Sequence, residues 1–345
     1  MKNLRIDLLL ALLFVTHFSI PSFGQSNPVQ VMGTGWTAQT SSSPAVAGGV
    51  NDNGVAQRYV AWRGYNDEIY FAVNNGGTGW GDYQVVGGPG WTAETSAAPA
   101  LNSYAGPVWL AWKGKNSNNI YFSTWDVETG WTPQQIVQGS GWTAQTDTGP
   151  ALGPTITYPY IAWKEPSGNL IYYTYPVWKQ GGVFQGWNTP QAVGGSNWTA
   201  GTSATPSFAF DKSISRDLFW KGESGDSIWY SAGTSTGYAI EWGEQSTTKC
   251  EASTIAGPAV GTFIVDASWE LGIFWTTSNY EVLYYSFYNN EGCGSEVYGA
   301  TTDVAPAVGS NVAFPGGTSI LAWKNAADGT IWFIDPTTLP GLAAP

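Results

Sequence analysis

Four tryptophans of the chain sit in one recurring phrase: "GWTAQTSSSPAV" from Gly35, "GWTAETSAAPAL" from Gly90, "GWTAQTDTGPAL" from Gly141 and "NWTAGTSATPSF" from Asn197. Trp36, Trp91, Trp142 and Trp198 each stand eight residues before a proline, and a threonine follows each by four: Thr40, Thr95, Thr146 and Thr202. Further along each repeat a second tryptophan is followed at once by a base: Arg63, Lys113, Lys164 and Lys221. The chain therefore offers an aromatic plate, a hydroxyl and a cation four times over. Such a set binds; it does not transfer protons. An indole face packs against C–H surface while charged and polar donors meet hydroxyl groups, and a pyranose ring presents both.

Catalytic chemistry has little to work with. The single histidine, His17, lies in an N-terminal leader, so no imidazole serves a triad, a proton shuttle or a metal. Two cysteines without a histidine exclude a Cys/His zinc site, and no loop carries oxygen ligands at calcium-binding spacing. No cofactor and no metal are therefore expected.

The leader is read from Lys2 and Arg5, the apolar "LLLALLFV" and the small residues around Ser22 and Gly24. That pattern predicts a cleaved signal peptide over 1–24 and an exported protein, secreted or periplasmic, of one domain over 25–345. No later run approaches the roughly 20 apolar residues of a membrane span, so no membrane insertion is expected. Without the leader 11 basic residues face 24 acidic ones, a balance that repels a phosphate backbone and argues against nucleic acid.

The elements that must position these residues repeat six times. Pro44, Pro99, Pro150, Pro206, Pro258 and Pro306 each open an apolar stretch. A second stretch ends in Trp62, Trp112, Trp163, Trp220, Trp275 or Trp323, and a third couples Ile or Leu with an aromatic, as in "EIYFAV" and "TIWFID". A fourth follows "GW" and reads "YQVVGG", "QQIVQG" or "PQAVGG". Short Val-, Ile- and aromatic-rich runs bounded by Gly, Asn, Asp and Ser are strands joined by tight turns. The second stretch is apolar at successive positions, as in Val108–Trp112. A strand with one wet face would alternate, so both of its faces are covered. The pattern predicts an all-β, six-bladed β-propeller with four antiparallel strands per blade. The sixth repeat stops after "TIWFID", and Pro28–Gly33 ("PVQVMG") has the fourth-strand wording. The N-terminal strand is thus expected to complete the last blade and close the ring.

Within that frame the second-strand tryptophans read as wedges between blades. The threonine, present in all six repeats, reads as a turn residue whose hydroxyl bonds nearby backbone. The loop tryptophan has two readings. It is replaced by Cys250 and Tyr298 in repeats five and six, which suits a binding residue, yet it could also pack over the blade junction while the base pairs with a neighbour. Antiparallel topology places loop tryptophan, threonine and base at one rim, giving a shallow site between adjacent blades in repeats one to four.

The strand order and repeats of about 50 residues resemble the fucose-binding lectin family typified by fungal six-bladed propellers. The resemblance covers the chain after the leader as a pattern. It implies a multivalent glycan-binding protein with pockets between blades, built in that family from Arg, Glu and aromatic residues. Here the basic slot is Lys except at Arg63 and at Thr276 in repeat five, and no Glu recurs at a fixed position. Two other classes stay open. A sialidase-like glycoside hydrolase would need converging arginines, whereas the only candidates are Arg58, Arg63 and Arg216, or a pair of carboxylates, with Asp217, Asp266 and Glu270 as candidates. A non-catalytic protein-interaction scaffold would need neither. Cys250 and Cys293 would form a disulfide by default in an exported chain, although their repeat slots lie at opposite ends of the fifth unit.

Overall fold

The computed structural model describes residues 27–340 and 342, except 51–54, 77–78, 104–106, 154–158, 180–182, 211–215, 237–238, 249, 251, 266–267, 288–293 and 311–317. The expected signal segment, Asp266 and Cys293 lie outside the described residues.

Six antiparallel sheets follow the six repeats. Blade one is Ala45–Val50, Ala56–Arg63, Ile69–Asn74 and Gln84–Val85; blade two is Ala100–Asn102, Val108–Lys113, Ile120–Asp126 and Gln135–Ile136. Blade three has Ala151–Gly153, Tyr160–Lys164, Ile171–Thr174 and Gln191–Ala192, and blade four Ser207–Phe210, Arg216–Lys221, Ile228–Thr236 and Ser246–Thr247. Blade five is Ala259–Val265, Ser268–Thr276, Glu281–Ser286 and Ser295–Thr301. In blade six Ala307–Ser310, Ser319–Lys324 and Ile331–Ile334 are joined by Val29–Gln30, which pairs antiparallel with the third strand, Val29 opposite Phe333 and Gln30 opposite Trp332. The first strands touch in a cycle, each meeting those of the blades on either side, with blade six against blade one.

Each junction between blades is one apolar cluster. Ile320, Ala322, Ile331 and Phe333 of blade six interlock with Val46, Val60, Trp62 and Ala72 of blade one. The other five junctions are built alike. This explains the unbroken apolarity of the second strands: Val108–Lys113 is buried at every position, because alternate residues serve the two neighbouring junctions. The second-strand tryptophans are the wedges, from 1% exposed at Trp112, Trp220 and Trp323 to 4% at Trp62 and Trp163. In blades two, three and four the third strand runs on into a hairpin that ends in a tryptophan, Trp131, Trp187 or Trp242. In blade three this hairpin is Pro176–Lys179 against Val183–Trp187, whose Trp178, Phe184 and Trp187 pack on the junction of blades two and three.

Cys250 is disulfide-bonded, and no described cysteine is free.

Candidate functional site

Each of the four loop tryptophans stands in a two-residue hairpin between the outer strand of one blade and the inner strand of the next. The pairs are Met32–Gly33 with Trp36–Thr37, Gly87–Gly88 with Trp91–Thr92, Gln138–Gly139 with Trp142–Thr143, and Gly194–Gly195 with Trp198–Thr199. The tryptophan always faces a glycine across the pair. That glycine is required by space, since a Cβ on Gly88 would lie 2.7 Å from Trp91 Nε1. The indole therefore lies flat over the partner strand. In the second hairpin the turn is Pro89–Gly90, with Gly90 at a φ of 81°, the left-handed value that glycine adopts at least cost.

All four indoles are half-buried and each joins the junction cluster that holds the second-strand tryptophan of its own repeat. Trp36 stacks on Trp62 with ring centroids 6.0 Å apart and planes inclined by 10°. Trp198 repeats this on Trp220 at 6.3 Å and 8°. A third-strand aromatic extends the row, as Tyr70 does beside Trp62, Tyr121 beside Trp112 and Tyr172 beside Trp163. Each row is thus partly wedge and partly surface.

The threonines lie below the surface. Thr40, Thr95, Thr146 and Thr202 have no exposed area, so they do not present a hydroxyl to a ligand. Their Oγ1 atoms accept from the amide two residues on, at 3.1–3.2 Å. Their own amides donate across the junction to the second-to-third-strand turn of the preceding blade: Thr40 to Gly329, Thr95 to Asp67, Thr146 to Asn118 and Thr202 to Asn169. Thr254 and Thr302 do the same towards Asp226 and Tyr280. The hydroxyl braces the turn whose backbone amide ties the blades together, and this role is independent of the loop tryptophan, so the threonine persists in repeats that lack it.

The bases share the rim but not the notch. Adjacent strand residues face opposite ways, so a base directly after the wedge tryptophan points away from that tryptophan's junction. Its charge ends at the turn before an inner strand, at the second-to-third-strand turn, or between the two. Lys113 Nζ bonds Ser96 Oγ at 2.7 Å, and Lys164 Nζ meets both oxygens of Asp147 at 3.0 and 2.9 Å. Lys221 pairs with Asp226 at 3.0 Å. Arg63 is paired with Asp67 and donates to the Ser96 carbonyl at 3.3 Å. Burial pushes the Lys113 ammonium below its ordinary range. The hydrogen bond from Arg63, helped by its charge and by Lys115, holds the Asp67 carboxyl below the usual carboxylate value against the opposing effect of burial. The composite notch of tryptophan, threonine and base is therefore not assembled: only the tryptophan faces it.

A developed notch opens between blades six and one. Its cavity of about 420 Å3 is lined by Trp36, Trp62, Tyr65, Tyr70 and Tyr83 with Thr37, Gln39 and Asn66. Tyr83 stands edge-on to Trp36 at 5.3 Å and to Tyr70 at 5.5 Å. Asn66 Nδ2 donates to Glu68 at 2.7 Å and to the Tyr70 hydroxyl at 3.0 Å, and that hydroxyl donates to Glu68 at 3.1 Å. Burial, with Glu68 adding to it, raises the Tyr70 phenol above its ordinary value, so it stays a neutral donor. Tyr65 and Tyr83 are 65% and 45% exposed. Neither belongs to the repeat consensus, and a search for recurring residues passes over both.

A second hollow, of about 550 Å3, lies where the turns before all six inner strands converge, lined by Pro44, Pro99, Pro150, Pro206, Pro258 and Pro306. Among the described residues no cluster of three or more metal-ligating side chains occurs. No described helix is long and apolar enough to cross a membrane. Of the carboxylates considered for hydrolysis, Asp217 and Glu270 are buried at 4% and 5% exposure. Strand alternation turns them to different junctions, and Glu270 accepts a bond from Ser286 Oγ at 2.8 Å.

No family model and no curated protein matches the sequence. Solved structures do. The fucose-specific lectin of Aleuria aurantia aligns over 88% of this chain and 99% of its own, with a TM-score of 0.57 at 12% identity. The protein AofleA of Arthrobotrys oligospora aligns over 85% and 83%, at 0.59 and 11%. An α-L-arabinofuranosidase of Fusarium graminearum aligns over 91% and 98%, at 0.62 and 10%. At such identities the likeness is one of fold, and the fold is a six-bladed β-propeller similar to that of the Aleuria lectin.

Proposed function

We propose that this chain is an exported, non-catalytic glycan-binding protein that uses the aromatic notches between blades. The observation that carries this reading is the notch between blades six and one. Five aromatic side chains and a hydrogen-bonded Asn66–Glu68–Tyr70 group line about 420 Å3, within the size range of small-ligand sites. Aromatic faces with polar groups at their edge suit a pyranose. The rows headed by Trp91, Trp142 and Trp198 supply weaker sites of the same kind, and several weak sites on one ring favour glycan-coated surfaces over single sugars. The likeness in fold to the fucose-specific lectin of Aleuria aurantia supports the same reading.

The arabinofuranosidase shares the fold equally well, but glycoside hydrolysis needs two carboxylates about 5 to 10 Å apart across one bond. Asp217 and Glu270 face separate junctions. A glycan array of the purified chain, run beside Trp36→Ala, tests the proposal. Binding that the substitution weakens is the expected result. Turnover of a chromogenic glycoside, or no glycan bound at high protein concentration, would overturn it.

A further inference from the structure

The notch between blades six and one differs from its counterparts in a way that names a ligand chemistry. Counting from the wedge tryptophan, the place of Tyr65 is taken by Lys115, Pro166 and Glu223 in the next three repeats. Counting from the "GW" tryptophan, Tyr83 gives way to Gln134 and Pro190 in repeats two and three. The notches of repeats two to four keep three aromatic positions and that of repeat five fewer, with Cys250 and Leu283 in two of them; this one has five. Tyr65 reaches over the junction until its hydroxyl lies against Gly329 of blade six, and Tyr83 closes the opposite side against Trp36, Trp62 and Tyr70.

Among the described residues no base lines this cavity. Arg63, the nearest in sequence, is turned away to Asp67. The negative charges are near instead: Glu68 holds Asn66 and Tyr70, and the whole chain carries a net charge of −12. Trp62 lies beneath the row, stacked between Trp36 and Tyr70. The concave aromatic lining is made by half-buried Trp36 and Tyr70 with exposed Tyr65 and Tyr83. Such a lining, backed by a carboxylate, attracts a soft, poorly hydrated cation. We infer that the notch between blades six and one is an aromatic cage for a trimethylammonium group, as borne by choline or phosphocholine. This rests on reading that notch as a binding site and names one class of group it takes. In the neighbouring notch Lys115, paired with Glu94 at 3.1 Å, occupies the Tyr65 position and excludes such a group.

The decisive comparison is choline against 3,3-dimethylbutan-1-ol, which replaces the charged nitrogen by carbon at unchanged shape. Titration of the full chain, followed by tryptophan fluorescence and calorimetry in constant salt, should show choline binding at least about tenfold tighter than the neutral isostere. Tyr65→Ala and Tyr83→Ala, both at exposed positions, should each weaken choline without lowering the melting temperature appreciably. Equal affinity for the two compounds overturns the cage and leaves an apolar notch. So does an absence of choline binding in a protein whose glycan binding still responds to Trp36→Ala, a result that leaves the glycan reading intact. Vesicles of phosphatidylcholine, run alongside phosphocholine, distinguish a lipid headgroup from a soluble or glycan-borne source, and binding of either supports the cage.

Discussion

Trp36 and Trp62 lie nearly parallel, 6.0 Å apart, yet they differ in burial. Trp62 is 4% exposed inside the junction of blades six and one, whereas Trp36 covers it from a two-residue hairpin and keeps part of its face in solvent. Trp62→Ala should therefore cost about 3–5 kcal/mol of stability, as for a buried large-to-small change. Trp36→Ala should cost distinctly less and should weaken ligand binding at that notch. Chemical denaturation of both variants, with binding measured on each, checks the division; equal destabilisation would make Trp36 a core residue.

The glycine opposite each loop tryptophan gives an independent handle on the site. Gly88→Ala places a methyl 2.7 Å from Trp91 Nε1, so the indole must swing off the partner strand. Overpacking of this kind costs about 1–3 kcal/mol in a core, and less is expected at this half-exposed hairpin. Binding through the Trp91 row should fall while the notch between blades six and one is untouched. Occupancy measured in a Trp36→Ala background isolates the effect.

Thr202→Val tests the brace that the threonine hydroxyl gives its turn. The methyl keeps the volume but removes the Oγ1 bonds to the Ala204 amide and carbonyl, at 3.1 and 3.0 Å. Loss of a buried, satisfied hydroxyl costs about 1–3 kcal/mol. The melting temperature should drop with unchanged affinity for any ligand, because Thr202 has no exposed surface. A change in affinity at constant stability would return the threonine to the binding set.

Much of this was readable from sequence because a six-fold repeat makes the same statement many times. Strand positions, the buried wedges and the turn role of the threonine follow from the six prolines and the apolarity of stretches such as Val108–Lys113. The composite notch failed on a rule already present in the letters: Trp62 and Arg63 are consecutive in a strand and cannot face one junction. Tyr65 and Tyr83 were missed for the opposite reason. They break the repeat, and a reading built on recurrence discards whatever occurs once. The hairpin formed by Pro176–Lys179 and Val183–Trp187 differs in length from its counterparts in blades two and four, and its aromatic residues resemble core strands until their pairing is known.

Asp67 should give stability an acid limb. Its folded carboxyl is held below the ordinary value, chiefly by the hydrogen bond from Arg63. A group depressed in the folded state stabilises above its unfolded value and loses that contribution as pH falls through its folded value. Stability should thus decline below about pH 4, and Asp67→Asn should flatten that decline. Asparagine is the suitable replacement because Asp67 has a φ of 69°, which Asn tolerates. Melting curves from pH 7 to pH 3 decide it; parallel profiles would remove Asp67 as a source of the limb.

The leading strand is the remaining test of how the ring holds. Val29 and Gln30 pair with Phe333 and Trp332. Val31 has no exposed surface, and its amide donates to Ile331 at 2.8 Å while its carbonyl accepts from Ala38 at 2.9 Å. Removing residues 27–32 would strip the outer strand from blade six and the partner strand from the hairpin of Trp36. The Ile331–Ile334 strand would then present an unpaired edge, which invites pairing with another chain. The shortened protein should melt at lower temperature and elute as larger species, and its notch between blades six and one should lose affinity. A monomer with an unchanged melting point would show that the other three strands hold blade six without this one, since the edge they leave would then carry neither a stability cost nor a tendency to associate.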